Sequence, residues 1–169
     1  GGIGIQVITN PFGGVIDLTA GRFAVGAYHV TPIGNLLTVL WIVGLVNVVN
    51  FMDGLDGLAA GVSAISAFVL FCLAAGGNVN QPVVAVLAII TVGAALGFLP
   101  YNFFPAKIFM GDGGAYFLGV VLALLAVYSG GKLATAGLVL GFAIFDGVWA
   151  VVRRLLAKRS PFSPDRHHI

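Results

Sequence analysis

The sequence predicts an all-α integral membrane protein, a bundle of several membrane-spanning helices with a short extracytoplasmic β-hairpin at its N-terminus. Of its 169 residues, 59% are hydrophobic and only 8% are charged, whereas soluble domains carry about 25% charged residues. The mean hydropathy of +1.07 leaves too few polar side chains to cover a water-soluble fold. The 25 glycines suit closely packed membrane helices. The net charge of +2 gives no basic footprint for nucleic acid, so we exclude that partner.

Long runs without charge predict the individual spans. Residues 57–106 carry no charge, which is too long for one span of ~20 residues. Turn-forming residues at 76–82 divide this run into two. The predicted spans are 34–52, 58–75, 83–100, 115–130 and 133–152. Cys72 lies within an apolar run and is predicted to be buried in the core. Because it is the single cysteine of the sequence, a disulfide framework is excluded.

The segment before the first span is predicted to form small β-structure outside the membrane. Its β-branched runs near 3–8, 15–18 and 23–30 alternate with turn residues. The predicted organisation is an extracytoplasmic hairpin or loop at 1–33, a helical bundle at 34–152 and a basic, His-containing tail loop at 153–169.

The basic residues predict the orientation of the bundle. If the spans alternate, one side receives the 53–57 turn, the 101–114 loop and the tail, with six of the eight Lys and Arg residues. The positive-inside rule makes this side the cytoplasmic face of the plasma membrane. The same side receives four of the six Asp residues, Asp53, Asp56, Asp112 and Asp165. Because ionisable groups near a bilayer are costly, this clustering predicts a functional site there.

The first candidate site is the segment Asn47–Ala59, which reads Asn-Val-Val-Asn-Phe-Met-Asp-Gly-Leu-Asp-Gly-Leu-Ala. Asn50, Asp53 and Asp56 recur every three residues, which would place neighbours on one helical face. The two glycines allow the backbone to break and to approach a ligand. Carboxylate and amide oxygens suit Mg²⁺ held jointly with a phosphate substrate. The competing interpretation, Asp residues that only cap a helix, explains one Asp but not the whole set.

The second candidate site is the loop at 100–114, which carries one acid and one base. Its Gly-Asp-Gly-Gly sequence precedes a helix that we expect to begin at about residue 115. Asp112 at this helix N-terminus can cap the helix or hold a metal. Phe109 or Tyr101 can stack on a base, or serve only at the membrane interface.

The third candidate site is the tail from Arg153 to His168. Basic residues beside a membrane ordinarily fix topology or contact lipid headgroups. The Arg and His side chains that follow the Pro-stiffened stretch can instead contact phosphates.

These three segments, in this order, resemble the polyprenyl-phosphate N-acetylhexosamine-1-phosphate transferases of the glycosyltransferase family 4 type. Asn47–Ala59 is close to the family's Asn-x-x-Asn-x-x-Asp-Gly-Leu-Asp-Gly-Leu-Ala signature. Phe109–Asp112, with Asn102 and Pro105-Ala106 ahead of it, is similar to the second signature. Ser160–Ile169 resembles the run leading into a His-Ile-His-His motif, with His168 as its first His.

The chain also departs from the family pattern. The family's upstream paired Asp motif and the last two His of the tail motif are absent, and Ala115 stands where the family usually has Ser. The chain lacks an initiator Met and a signal peptide. Since family members have about twice as many spans, we expect this chain to be a C-terminal piece of a larger membrane protein.

The resemblance implies a Mg²⁺-dependent enzyme, with Mn²⁺ as the alternative metal. It would move an N-acetylhexosamine 1-phosphate, foremost GlcNAc-1-phosphate, from a UDP-sugar to undecaprenyl phosphate and release UMP. Such a reaction initiates cell-wall or surface glycans such as teichoic acid or lipopolysaccharide O-antigen. The implied partners are the UDP-N-acetylhexosamine, the polyprenyl phosphate, the bilayer and a second copy in a homodimer. One-step attack and a covalent Asp intermediate both stay open.

The resemblance also implies roles for particular residues. The implied catalytic residues are Asp53, Asp56 and His168, and the implied metal ligands are Asp112 and Asp53. The implied substrate-binding residues are Asn47, Asn50, Gly54, Leu55, Asn102, Lys107, Phe109, Gly111 and Arg166.

Three other functions stay open. The related branch that transfers phospho-MurNAc-pentapeptide usually ends its tail motif in three His residues, unlike this tail. A membrane transporter is favoured only by Asp146, which lies inside the fifth predicted span. We expect Asp146 instead to be structural, paired with helix-end cations or backbone groups. A structural or assembly protein would not need Asn50 and three Asp residues together.

Overall fold

The structure, a computed structural model, describes residues 5, 7–9, 14–19, 21–25, 28–76, 80–129 and 141. Four short strands precede four long helices in the described part of the chain. The strands are β1 (Val7–Thr9), β2 (Val15–Asp17), β3 (Phe23–Val25) and β4 (Tyr28–Val30). The helices are α1 (Pro32–Met52), α2 (Leu58–Ala75), α3 (Pro82–Asn102) and α4 (Gly111–Tyr128).

All four helices are long and apolar enough to cross a membrane, with 18 to 21 residues each. At a rise of 1.5 Å per residue, they reach about 27–32 Å, the thickness of a bilayer core. The mostly helical fold class is therefore confirmed, and helices of suitable length and hydropathy occur at the first four predicted spans. The fifth, 133–152, lies outside the described residues apart from Gly141.

The predicted β-structure at the N-terminus is confirmed as two separate antiparallel pairs. In β1–β2, Val7 lies opposite Asp17, and in β3–β4, Phe23 lies opposite Val30. The chain before β1 is joined to α1, because the N–H of Ile5 donates a 2.9 Å hydrogen bond to Oγ1 of Thr38. Its extracytoplasmic position stays a prediction.

The helices pack mainly in two pairs, α1 with α4 and α2 with α3. The α1–α4 contact is close, since a Cβ added at Gly119 would lie 2.6 Å from Cα of Val46. Leu45, Leu70 and Leu122 are fully buried. Small side chains fill much of the remaining core, namely Ala59, Ala60, Ala67, Ala74, Ala88, Ala115, Ala123 and Ala126. Small residues allow membrane helices to approach closely, which agrees with the composition.

Large apolar side chains also cover the outside of the bundle. Ile65, Val83 and Phe117 are 66%, 71% and 67% exposed. Such exposure is expected of helices that face lipid or further helices instead of water. Cys72 is exposed as well, so its predicted burial in the core is wrong. An apolar neighbourhood does not predict burial when both faces of a helix are apolar.

The chain segments between the helices place the candidate site at one end of the bundle. The turn at 53–57 and the loop at 103–110 contact each other where α2 begins and α3 ends, whereas α2 ends and α3 begins at the other end of the bundle. The prediction that residues 53–57 and 101–114 share one side is therefore confirmed.

Candidate functional site

The turn between α1 and α2 carries the first acidic residues. Helix α1 ends at Met52, and the N–H of Asp53 still bonds the carbonyls of Val49 and Asn50 at 3.2 and 3.3 Å. Asp53 and Asp56 therefore lie in a turn, and only Asn50 is helical. The expectation that neighbours among these three share a helical face is wrong, because the helix ends before the second of them.

Gly57 allows the chain to leave this turn and enter α2. Its φ of +75° lies in the left-handed region that favours glycine. A Cβ at this position would also lie 3.3 Å from Cδ2 of Phe103, in the loop that follows α3. The sequence-based expectation that a glycine here breaks the backbone is confirmed.

Asp53 lies beside the start of α4. Partial burial raises the pKa of its carboxyl group above the ordinary value of 3.8. A hydrogen bond from the backbone of Gly111 lowers this pKa, and the negative charge of Asp112 raises it. The two carboxylates are thus close enough to interact, although 59 positions separate them in the sequence.

Asp112 lies in the first turn of α4, which begins at Gly111 and not at about residue 115 as expected. The N-cap residue, Met110, makes no side-chain capping bond. Oδ1 of Asp112 accepts a 3.1 Å hydrogen bond from Nδ2 of Asn50. A helix N-terminus favours negative charge, so Asp112 occupies a place that also attracts phosphates.

The loop after α3 is joined to the acidic turn by two side chains. The N–H of Gly57 donates a 3.1 Å bond to Oδ1 of Asn102, whose Nδ2 donates a 3.0 Å bond to the carbonyl of Ile108. The N–H of Ala106 donates a 2.9 Å bond to Oδ2 of Asp56. The parts played by Ala106 and Ile108 were not predicted, because backbone groups leave no signal in the sequence.

The remaining predicted residues differ in their exposure and contacts. Gly54, Leu55, Lys107 and Phe109 are exposed at this end of the bundle, and Phe109 is 73% exposed. Nδ2 of Asn47 instead donates to the carbonyl of Val43 in its own helix, at 2.7 Å. Asp146 and the whole tail from Arg153, including Asp165, Arg166 and His168, lie outside the described residues.

The described side chains fit Mg²⁺ only as a site shared with substrate. Across residues 28–76 and 80–129, no group of three or more His, Cys, Asp or Glu side chains could hold a metal ion. Asp53 and Asp112 supply two interacting carboxylates. Mg²⁺ at phosphate sites is commonly held by one or two carboxylates, with water and substrate phosphates as its other ligands. The pair suits such a site and does not form a closed protein cage.

Two adjoining apolar cavities lie between α3 and α4, each of about 260 Å³. Both are lined by Ala94, Phe117 and Leu118. The first cavity reaches Met110 and Gly114, next to the acidic end of α4.

Known proteins share this sequence pattern. The pattern of "Glycosyl transferase family 4" matches residues 2–130. The chain is 39% identical over 173 residues to the "Probable undecaprenyl-phosphate N-acetylglucosaminyl 1-phosphate transferase" of Bacillus subtilis (strain 168), a match that covers 99% of this chain and 48% of the relative. It therefore spans about half the length of that relative.

Two further relatives match over shorter lengths. The "Undecaprenyl-phosphate alpha-N-acetylglucosaminyl 1-phosphate transferase" of Thermotoga maritima is 45% identical over 74 residues, 43% of this chain and 25% of the relative. The "Phospho-N-acetylmuramoyl-pentapeptide-transferase" of Mycobacterium leprae is 41% identical over 108 residues, 57% of this chain and 30% of the relative. Together with the four apolar helices, these matches identify a membrane protein. Since the family pattern covers most of the sequence, the chain belongs to glycosyl transferase family 4.

Proposed function

We propose that this protein transfers N-acetylglucosamine 1-phosphate from UDP-N-acetylglucosamine to undecaprenyl phosphate and releases UMP. The observation that carries the proposal is the meeting of Asp53, Asp112 and Asn50 at one end of the bundle. Acidic and amide groups gathered beside a helix N-terminus suit a metal-bound pyrophosphate.

The choice of N-acetylglucosamine as the proposed sugar is supported by how much of this chain each relative matches. The relative named for N-acetylglucosaminyl 1-phosphate transfer aligns with 99% of this chain, whereas the muramoyl-pentapeptide relative aligns with 57%. Transfer of phospho-MurNAc-pentapeptide is the second candidate, because its match includes a comparable identity of 41%.

The proposed chemistry is phosphoryl transfer. An oxygen of the lipid phosphate attacks the phosphorus that carries the sugar, and the bond from this phosphorus to the bridging oxygen breaks, so that UMP leaves with that oxygen. Bound Mg²⁺, with Mn²⁺ as the alternative, would neutralise charge on the phosphates. Asp112 and Asp53 would hold the metal, and Asn50 would orient Asp112 through their 3.1 Å hydrogen bond. The protein thus contributes mainly by positioning the reactants.

Other residues have proposed contacts with the donor. The exposed ring of Phe109 would stack on the uracil, with Gly54 and Leu55 beside it. Arg166 and His168 of the tail would contact the pyrophosphate. The excess of Lys and Arg on the same side supports a plasma-membrane protein with its site on the cytoplasmic face.

The test measures the release of UMP by the full-length protein. The protein is purified in detergent and supplied with undecaprenyl phosphate and Mg²⁺. UDP-GlcNAc, UDP-MurNAc-pentapeptide and UDP-glucose are compared as donors, each with and without EDTA. We expect turnover with UDP-GlcNAc that EDTA abolishes and Mg²⁺ restores. Turnover only with UDP-MurNAc-pentapeptide would favour the second candidate. Turnover that survives EDTA would refute the metal requirement.

A matched pair of variants tests the metal ligands. Asp112→Asn keeps the shape of the side chain and removes the charge, so we expect turnover to be lost while folded yield is kept. Asp17→Asn serves as the control, because Asp17 lies in the N-terminal β-structure. Normal turnover of Asp112→Asn at saturating Mg²⁺ would exclude Asp112 as a required ligand.

A further inference from the structure

We infer that Tyr101, Phe104 and Lys107 form a lipid-binding surface, which lies in the headgroup layer of the bilayer and prefers anionic phospholipids. We call these three residues the interface anchor. The inference goes beyond the proposed function and does not depend on it, because it concerns the contact between the bundle and the bilayer.

The exposed face of α3 ends at Tyr101. Ile90 follows Val83 by seven residues, and Tyr101 follows Ile90 by eleven, which is close to two and three helical turns. The three side chains therefore lie on one face of α3, and each is more than half exposed. Because an exposed apolar face of a membrane span contacts lipid, Tyr101 extends a lipid-facing surface to the end of the helix.

The length of α3 fixes the depth of Tyr101 in the bilayer. The helix has 21 residues and extends about 32 Å, close to the ~30 Å thickness of the hydrocarbon core. Tyr101 precedes its last residue, Asn102, and so lies where the hydrocarbon core meets the headgroups. Tyrosine is enriched at this level, because its ring is apolar and its hydroxyl group can bond water or headgroups.

The loop after α3 brings a second ring and a cation to the same level. The N–H groups of Lys107 and Ile108 donate to the carbonyl of Tyr101 at 2.8 and 3.0 Å, so the backbone of Lys107 lies beside the end of α3. The side chain of Lys107 is exposed. Phe104 is 77% exposed, the highest value among the large hydrophobic residues that the structure describes.

The chemistry of the anchor fits anionic lipid. A ring as exposed as that of Phe104 is stabilised by leaving water, and the apolar stem of Lys107 can extend along lipid while its charge reaches the phosphates. Attraction between one such charge and an anionic leaflet corresponds to about a fivefold preference. In the described part of the chain, Lys107 is the only Lys or Arg at this end of the bundle, since three helices separate it from Arg22.

The anchor is also joined to the acidic turn. The N–H of Ala106, next to Lys107, donates a 2.9 Å hydrogen bond to Oδ2 of Asp56. The N–H of Gly57 donates a 3.1 Å bond to Oδ1 of Asn102, next to Tyr101. Contact between the anchor and the headgroup layer would therefore hold the acidic turn at the level of the lipid phosphates.

The experiment measures lipid contact at the anchor by fluorescence quenching in the full-length protein. Phe104→Trp introduces the reporter, and the signal of the parent protein is subtracted to remove its own tryptophans. The protein is reconstituted into phosphatidylcholine nanodiscs with a minor fraction of brominated phosphatidylglycerol or brominated phosphatidylcholine. The bromine lies either near the headgroup or near the end of the acyl chain. Tyr101→Trp is a second reporter, which covers the case that Phe104→Trp does not fold.

Matched variants separate the charge of Lys107 from other effects. Lys107→Gln removes the charge and Lys107→Arg keeps it, each combined with the reporter. Arg22→Gln removes the other described cation. Phe23→Trp is the control reporter, because Phe23 is 51% exposed but lies in β3, which three helices separate from the anchor.

We expect bromine near the headgroup to quench Phe104→Trp more than bromine near the chain end. Brominated phosphatidylglycerol should reach the same quenching as brominated phosphatidylcholine at about one-fifth of the concentration. Lys107→Gln should remove this preference, whereas Lys107→Arg and Arg22→Gln should keep it. The quenching of Phe23→Trp should not respond to Lys107→Gln.

Three results would overturn the inference. Quenching of the anchor reporters by aqueous acrylamide but not by brominated lipid would show that the anchor faces water. Protection from both quenchers would show that protein covers the anchor. An anionic preference that is absent from wild type, or that persists in Lys107→Gln, would refute the role of Lys107. Since no readout involves catalysis, failure of wild type to use UDP-GlcNAc would refute the proposed function alone.

Discussion

Asn50, in the last turn of α1, donates a hydrogen bond of 3.1 Å from Nδ2 to Oδ1 of Asp112, in the first turn of α4. Because Asp53 follows α1 directly, this bond joins the two helix ends that carry the interacting carboxylates. The bond involves only one of the two carboxylate oxygens of Asp112, and it orients the carboxylate. The neutral amide of Asn50 can orient Asp112 without adding charge to the site that we propose for a cation.

Replacement of Asn50 tests this orienting role. We expect Asn50→Ala to raise the Mg²⁺ concentration for half-maximal turnover by about tenfold or more, the usual effect of losing a group that orients a metal ligand. A Mg²⁺ titration of UMP release measures it. Asn35→Ala is the matched control, since Asn35 lies at the other end of α1 and accepts a bond from Thr31. An unchanged Mg²⁺ requirement in Asn50→Ala would show that Asp112 needs no such partner.

The raised pKa of Asp53 predicts a conflict between stability and function. A carboxyl group whose pKa is raised on folding contributes stability below its ordinary value of 3.8, and this is lost as pH rises through the raised value. Ionisation of Asp53 as pH rises therefore lowers the stability of the fold in the absence of metal. We expect Asp53→Asn to melt at a higher temperature than wild type at neutral pH without metal and to have lost turnover.

The melting difference should shrink as pH falls towards 3.8, because the wild-type carboxyl group becomes increasingly protonated. Mg²⁺ should raise the melting temperature of wild type more than that of the variant, because a ligand stabilises the state that binds it. Thermal melts from pH 7 downwards, with and without Mg²⁺, measure both effects. A variant that melts below wild type at neutral pH without metal would contradict the electrostatic cost.

The spans were predictable because the signal is local. Fifty uncharged residues at 57–106 cannot be one helix in a bilayer, and the turn residues divide them. The burial of a single side chain was less predictable, as Cys72 shows, since its helix is apolar on both its inner and outer faces. Hydrophobic periodicity separates inside from outside only where the outside is water.

The site was predictable in its composition but not in its contacts. The spacing of Asn50, Asp53 and Asp56 suggested one helical face, yet the chain turns at Met52. The partners of Asn102 lie 45 positions before it and six after it, so no local pattern reveals them. Asp112 was identified as a ligand candidate, whereas its bond to Asn50 depends on how α1 packs against α4.

A glycine should be required at position 57 because of the backbone conformation there. Its φ of +75° strains any residue with a Cβ, and that Cβ would lie 3.3 Å from the ring of Phe103. We expect Gly57→Ala to destabilise the protein by about 1–2 kcal/mol. Gly61→Ala is the control, because Gly61 lies within α2 with nothing within 4 Å, and alanine there should be neutral or stabilising. Equal melting temperatures for the two variants would contradict the strain.

The orientation of the bundle can be tested by labelling. Cysteine placed at Lys107 should react from the cytoplasmic side, and cysteine placed at Asn80 should react from the opposite side, because α3 separates them. Both replacements are made in a Cys72→Ser background, since Cys72 is itself exposed. Membrane-impermeant maleimide, applied to intact cells and to inverted vesicles, distinguishes the two sides. Labelling of both positions from the same side would refute α3 as a membrane span.

Gly119 should determine how closely α1 and α4, the two helices that carry Asn50 and Asp112, approach each other. A Cβ here would lie 2.6 Å from Cα of Val46, so even alanine must push α4 away from α1. Backbone atoms cannot move aside as a flexible side chain can, and overpacking of this kind typically costs about 1–3 kcal/mol. Because α1 carries Asn50 and α4 carries Asp112, the same shift should lengthen their hydrogen bond.

We therefore expect Gly119→Ala to lower both the melting temperature and the turnover, and to raise the Mg²⁺ requirement in the same direction as Asn50→Ala. Gly93→Ala is the matched control, since a Cβ at that position in α3 meets nothing within 4 Å. If Gly119→Ala lowers stability but leaves the Mg²⁺ requirement unchanged, the α1–α4 packing does not set the geometry of the carboxylates. Parallel loss of Mg²⁺ affinity in Gly119→Ala and Asn50→Ala, with normal affinity in Gly93→Ala, would trace the metal site to the contact between these two helices.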